Sequence, residues 1–275
     1  MGQGSPTQEF TFSRRDFHNV RDILYGMTGI RLADSKDSMV YSRLARRLRQ
    51  LKLASFVEYL AYLQSHKGEE QFFINALTTN LTSFFREKHH FPMLSAYLQS
   101  HPQAKRIWCA ASSTGEEPYS IAMTVAETFG SFSPKIEIIA SDIDSAVLEK
   151  ASNGVYPLKA TEQLSAQQCK QFFLRGKGAQ QGNIKVVPEL RRMVTFKQIN
   201  LMHAKWPLEQ GIDVIFCRNV MIYFDKPTQL EILARMVKLM VADGLYIAGH
   251  SETFANAAHL VEPIGKTAYR PVKGK

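Results

Sequence analysis

Long hydrophobic runs are missing from this 275-residue chain, and no apolar stretch approaches the ~20 residues that a helical bilayer span requires. The opening MGQGSPTQEF lacks the basic and apolar regions of a secretory signal. Pro6 stands where a myristoylation motif needs Ser or Thr. These absences set the expectation of a cytoplasmic chain without membrane insertion or lipid anchor. Cysteine is scarce: Cys109, Cys169 and Cys217 are odd in number and far apart, which leaves neither a disulfide framework nor metal-ligand spacing. His89 and His90 lack any partner at metal spacing, so no metal is expected. The sequon Asn80-Leu81-Thr82 reads as a chance match, because nothing directs the chain to a secretory compartment.

What is present is an ordinary globular composition, 45% hydrophobic and 21% charged, with a net charge of +9. A basic excess favours an acidic partner, whether nucleic acid, anionic membrane or acidic protein surface, without choosing among them.

Residues 10–80 read as a helical domain. Phe17, Val20, Ile23, Leu24 and Met27 share one face, and a turn around Gly29 precedes a second helix that Asp37 or Ser38 can cap. Val40, Leu44, Leu48 and Leu51 form the apolar stripe of that helix. Arg43, Arg46, Arg47, Arg49 and Lys52 crowd the rest, with only Asp37 nearby to offset them. Such a cluster is either a solvated face or a docking surface for an acidic helix.

Residues 81–104 read as a linker and connecting helix. From residue 105 to the end, short apolar runs (RIWCAA, IEIIASD, DVIFCRN, GLYIAGH) alternate with helical stretches, and TAYRPV could add a last edge strand. That alternation implies a doubly wound, mostly parallel sheet with ligands at the carboxyl ends of its strands. Residues 157–193 interrupt it with three strand-like runs, FFLRGKG, GNIKVV and RRMVTF. They are expected to form a small antiparallel subdomain standing off the core, with an edge to which a peptide could add.

The strand ends are polar in sequence. After the first comes CAASSTGEEPYS, whose single glycine, Gly115, cannot build the pyrophosphate nest of a dinucleotide site. Glu116 and Glu117 open the next helix, where they cap it or meet a cationic ligand group. Asp142 ends the second strand, placed for ribose hydroxyls, and Asp144 is positioned to cap the helix after it. Asn200 and Leu201 follow the third strand and could hold an adenine edge and face. Arg218 and Asn219 follow the fourth.

The ordered set NLTSFFRE, AASSTGEEPYSIA, ASDID, INL, IFCRNVMIYFDK and GHSE resembles the bacterial chemotaxis receptor methyltransferases, the CheR family, over nearly the whole chain. The resemblance implies a class I S-adenosylmethionine-dependent methyltransferase domain, an α/β Rossmann-like sheet, with an N-terminal helical domain and an inserted antiparallel β-subdomain. It implies protein-glutamate O-methylation of chemoreceptor cytoplasmic helices, with S-adenosylhomocysteine as product, by a monomer. The cofactor contacts it implies are Asn80, Thr82, Arg86, Glu117, Asp142, Asn200, Leu201, Arg218 and Asn219. The arginine-rich helix would meet the receptor, and the β-subdomain would take a receptor C-terminal peptide. Arg86 and Tyr223 are candidates for orienting the reacting groups, with Phe84 and Phe85 packed on sheet or cofactor. No base is expected, because an acceptor glutamate, with a reference pKa of about 4.3, is already ionised.

Two other functions fit parts of the sequence. A nucleic-acid methyltransferase would suit the charge, but RNVMIYF lacks the prolines that many amino-group methyltransferases carry after the fourth strand. A non-catalytic cofactor-binding adaptor is the other. The trio His250, Ser251 and Glu252 is no hydrolase site, for no G-x-S-x-G elbow exists.

Overall fold

The computed structural model describes residues 9–272, in two compact units that divide between Thr79 and Asn80. The signal and myristoylation reading rests on residues 1–8, outside the described residues.

The first unit is helical. Helix α1 (Arg14–Thr28) starts at a capping box in which Ser13 and Asp16 satisfy each other's backbone N–H groups, and it stops at Gly29 with φ of 71°. A 3-10 turn over Asp34–Lys36 leads into α2 (Asp37–Leu51), so Asp37 is the first residue of this helix and not its side-chain cap. Helices α3 (Phe56–Ser65) and α4 (Glu69–Leu77) complete the unit. Phe17, Leu24, Leu44, Leu48, Tyr59 and Phe73 are fully buried at its centre.

The α2 cations have more acidic company than Asp37. Arg47 makes two hydrogen bonds to Glu69, Nε–Oε1 at 2.8 Å and Nη2–Oε2 at 2.6 Å, and Tyr59 donates to the same carboxylate. The Arg47 guanidinium also lies 4.0 Å from the Phe72 ring centre. Arg43 donates to the Ala76 and Thr78 carbonyls at the end of α4, and Arg49 pairs with Glu9. Arg46 and Lys52 are exposed, with no side-chain partner among the described residues.

The second unit begins with the NLTSFFRE stretch and α5 (His90–Ser100), whose Phe91, Leu94 and Leu98 are buried in the same core as the sheet. Residues 81–104 are thus built into this unit. Then follow β1 (Arg106–Cys109), α6 (Glu116–Phe129), β2 (Glu137–Asp142) and α7 (Ser145–Asn153), which Asp144 caps as expected. The insertion holds β3 (Val155–Pro157), α8 (Ala166–Phe172), β4 (Phe173–Arg175) and β5 (Asn183–Val186). After α9 (Pro188–Arg192) come β6 (Val194–Gln198), β7 (Ile212–Cys217), α10 (Lys226–Leu239), β8 (Met240–Ala248), β9 (Val261–Gly265) and β10 (Ala268–Pro271).

The main sheet has the order β6-β2-β1-β7-β8-β10-β9. Pairing is parallel from β6 to β8, and β10 runs antiparallel to both neighbours. The chain works outward from β1 on one side and returns to β7 on the other. The crevice above this switch point is where such sheets bind ligands.

Three expectations are corrected here. TAYRPV is not the edge, because β10 lies between β8 and β9. The true edge strand carries Pro263 and a mostly exposed sequence, which suits an edge and hid it from periodicity. The run RRMVTF is not a third subdomain strand: it ends a short helix and enters β6 of the main sheet, while the three-stranded sheet is β3-β5-β4. Nor does that sheet stand off the core, since Tyr156, Phe173, Ile184 and Val186 join the buried cluster of Ile107 and Tyr119.

Gly115 combines a left-handed backbone, with φ of 99°, and close packing: a Cβ there would lie 2.7 Å from the Tyr156 hydroxyl and 2.8 Å from Ala151 Cβ. Gly115→Ala is expected to destabilise this unit by about 2–4 kcal/mol, from left-handed backbone plus overpacking. Urea unfolding followed by fluorescence would measure it.

Candidate active site

Arg218 occupies the centre of the site. Its side chain is fully buried, so its charge must be met by protein groups. Nη1 lies 2.6 Å from Glu117 Oε2, and Nη2 donates to the Arg86 carbonyl at 2.6 Å and lies 3.3 Å from Glu87 Oε2. One guanidinium thus ties the end of β7 to the start of α6 and to the FFRE turn. The other oxygen of Glu117 accepts from the Cys109 thiol at 3.3 Å. Burial pushes both the Glu117 carboxyl and the Cys109 thiol upward, and the guanidinium opposes both shifts. The 2.6 Å contact is that of an ion pair, with Cys109 as the neutral S–H donor. Both Glu117 oxygens are therefore engaged within the protein.

The backbone here is contorted. Phe85 and Glu87, on either side of Arg86, have φ of 50° and 56°, and Ser113 and Asn219 have φ of 47° and 57°. Four of the seven non-glycine residues with positive φ among the described residues lie in these three loops. Such conformations persist only where neighbours over-determine them. Phe84 packs edge-on against Tyr156 and Phe173, and Phe85 against Phe91, so the phenylalanine pair anchors the turn from below. Arg86 donates Nη1 to the Leu81 carbonyl at 2.9 Å, and its side chain is only partly buried.

A second cluster surrounds the end of β2. Asp142 accepts from the backbone N–H groups of Ser113 (2.8 Å) and Asp144 (3.0 Å). Burial nonetheless raises its carboxyl to about 6. Asn80 donates Nδ2 to Asp144 at 2.8 Å, and its carbonyl accepts from the Ser113 hydroxyl at 2.8 Å. Asn80, Ser113 and Asp142 thereby form one connected group. Asn200 and Leu201 stand just beyond β6, where Ile199 N–H donates to the Asp142 carbonyl. The Asn200 carbonyl accepts from Trp206 Nε1 and that of Leu201 from Arg235. Thr82 is half-buried, and so is Tyr223, on a 3-10 turn over Met221–Tyr223.

Several residues of the site escaped sequence reasoning. Glu252, set aside with the His250–Ser251 pair, is buried and accepts from Gly249 N (2.6 Å), Asn219 N (3.0 Å) and Met221 N (2.8 Å). It staples the loops after β7 and β8, while His250 and Ser251 are exposed. His90 is fully buried, and its Nε2 lies 3.0 Å from both the Lys266 carbonyl and the Thr267 hydroxyl. Burial and the Arg218 charge lower it to about 4, so it is neutral at neutral pH. No cluster of His, Cys, Asp and Glu among the described residues could hold a metal. Nothing in the residue types of Glu87, His90 or Glu252 sets them apart from solvated loop residues. The motif blocks NLTSFFRE and GHSE, which contain Glu87 and Glu252, were the available signal, and His90 lies in none.

The sequence matches two family models and full-length relatives. Residues 80–270 match the CheR methyltransferase SAM-binding domain, and residues 15–78 match the CheR methyltransferase all-alpha domain. The chain is 57% identical over 268 residues to chemotaxis protein methyltransferase 2 of Pseudomonas aeruginosa, covering 96% of this chain and 95% of the relative. It is 48% identical over 265 residues to the chemotaxis protein methyltransferase of Escherichia coli, covering 96% and 93%. With both family domains matched in order across its length, this chain belongs to the CheR methyltransferase family.

Proposed function

We propose that this protein methylates glutamate side chains on chemoreceptor cytoplasmic helices, using S-adenosylmethionine and releasing S-adenosylhomocysteine. The observation that carries this reading is the match of both family domains, shared with relatives called chemotaxis protein methyltransferases. The site fits the cofactor. Ser112 Oγ is fully buried with no partner among the described residues, and the Asp142 carboxylate accepts from backbone N–H groups alone. Asp142 would take the ribose hydroxyls, Asn200 and Leu201 the adenine, and Asn80, Thr82, Arg86 and Asn219 the remainder. Glu117 and Arg218 support them as a pair. When bound, the cofactor supplies an electrophilic methyl on a sulfonium centre.

The residues of this chain then have placement, not proton transfer, as their task. An ionised glutamate needs no base, but it needs alignment and exclusion of water. Arg86 has guanidinium N–H groups beyond the one on Leu81, and these can orient a carboxylate. Holding that carboxylate too tightly in the ground state would slow its neutralisation. Tyr223, four residues beyond Asn219, is a second orienting group. A receptor C-terminal peptide would add to β4, because β3 carries Pro157, which has no N–H to offer.

Methyl transfer from labelled S-adenosylmethionine to receptor-containing membranes tests the function, with nucleic acid as a parallel acceptor. Mild base should release the label as methanol, as esters do and methylated bases do not. Label on nucleic acid alone would overturn the reading. Arg86→Ala should cut turnover at least about tenfold, the scale of one lost hydrogen bond to a charged group.

Asp142 sets a pH dependence. Its folded carboxyl titrates near 6, above the ordinary value, so below that pH the native site is protonated and ribose hydroxyls lose their ionised acceptor. Binding to the ionised form releases a proton there, so S-adenosylhomocysteine should bind steadily above pH 7 and more weakly toward pH 5. Asp142→Asn should bind weakly at every pH, with that dependence flattened. Calorimetry across the range would show both.

The receptor surface is tested on α2. Arg46→Ala and Lys52→Ala should lower receptor methylation without changing melting temperature or cofactor affinity. Arg47→Ala should lower the melting temperature as well, because it strands the buried Glu69 carboxylate.

A further inference from the structure

Glu87 follows Arg86 in the chain and meets Asn219, Arg218 and His90. Its Oε1 accepts from Asn219 Nδ2 at 3.2 Å, and its Oε2 lies 3.3 Å from Arg218 Nη2 and 3.6 Å from His90 Nδ1. Burial works against its charge, but Arg218, the His250 backbone N–H and the Asn219 amide together hold its carboxyl below the ordinary range. His90 is neutral, so Arg218 is the counter-ion.

An ionised carboxylate can only accept hydrogen bonds. It therefore decides which way round the Asn219 amide sits, with NH2 toward Glu87 and the carbonyl oxygen away. The Asn219 backbone is fixed separately, by the N–H bond to Glu252 and a φ of 57°. Two carboxylates from two loops thus hold one residue, Glu252 by its backbone and Glu87 by its side chain. Asn219 Oδ1 accepts no hydrogen bond from a described residue, whereas its Nδ2 is already turned to Glu87 Oε1. What Asn219 can offer a ligand is an acceptor.

We infer that Glu87 is a positioning residue which orients Asn219 as a hydrogen-bond acceptor for the α-ammonium group of the cofactor's amino-acid tail. The inference rests on the cofactor reading above and adds the sense of one contact and the residue that sets it. Glu87→Gln reverses that sense. The new amide would turn its oxygen to Arg218 and its NH2 to Asn219. Asn219 would then flip, presenting N–H where the oxygen had been. An ammonium group would meet donors instead of an acceptor.

The test compares S-adenosylhomocysteine with its des-amino counterpart, in which hydrogen replaces the α-amino group, by calorimetry on the full chain. Glu87→Gln should weaken S-adenosylhomocysteine about tenfold or more, the scale of a hydrogen bond to a charged group. The des-amino ligand should change by less than about twofold, taken as the tolerance of non-additivity. Equal loss for both ligands would reduce Glu87 to a structural prop and overturn the proposal, as would no loss. Asn219→Ala should show the same selectivity, which keeps the test usable if Glu87→Gln does not fold. In the Asn219→Ala background, adding Glu87→Gln should have little further effect, because Glu87 acts through Asn219. Independent effects of the two substitutions would contradict it. Failure of the unaltered protein to bind S-adenosylhomocysteine would instead remove the cofactor reading, a distinct result that takes this inference with it.

Discussion

A buried guanidinium organises this active site. Arg218 has no access to water, and an unpaired charge in that position costs far more than a small domain can absorb. Its partners come from separate parts of the chain: Glu117 at the start of α6, Glu87 and the Arg86 carbonyl from the opening stretch. Satisfying one charge therefore brings three loops into register. The positive φ values at Phe85, Glu87 and Asn219 are the local strain that such convergence requires.

The carboxylates of the site have divided roles that follow from their surroundings. Glu117 and Glu87 neutralise Arg218, and Glu252 gathers three backbone N–H groups at the ends of β7 and β8. Among the described residues Asp142 has only backbone donors and no cation beside it, so burial leaves its proton affinity high. All four acidic residues are engaged by hydrogen bonds within the protein.

The basic α2 helix illustrates how tertiary pairing rewrites a charge count. Five cations in ten residues suggest a uniform docking face. Two of them, Arg43 and Arg47, instead close the end of α4 and neutralise the buried Glu69, and Arg49 meets Glu9. A partner helix would meet Arg46 and Lys52 as free charges and the others as already committed. Net charge still steers an acidic partner toward the protein, since steering depends on the summed field and not on individual pairs.

The sequence by itself determined the architecture and the family. Alternating strand and helix periods specify a parallel sheet, and long motif blocks identify the family. Those signals are local, carried by spacing and residue type within a few turns of chain. Only the tertiary structure decided which carboxylate serves Arg218, that Glu252 is a staple, that β10 is internal and that the subdomain shares the main core. Each of these depends on groups far apart in sequence meeting in a low-dielectric interior, where an ion pair or an unmet N–H weighs heavily. Glu87 and Asp37 look alike on paper, yet one is paired with a buried guanidinium and the other bonds only to the neighbouring Ser38 at a helix start. Nothing within a few residues of either carries that difference, because it is made by a side chain more than a hundred residues away.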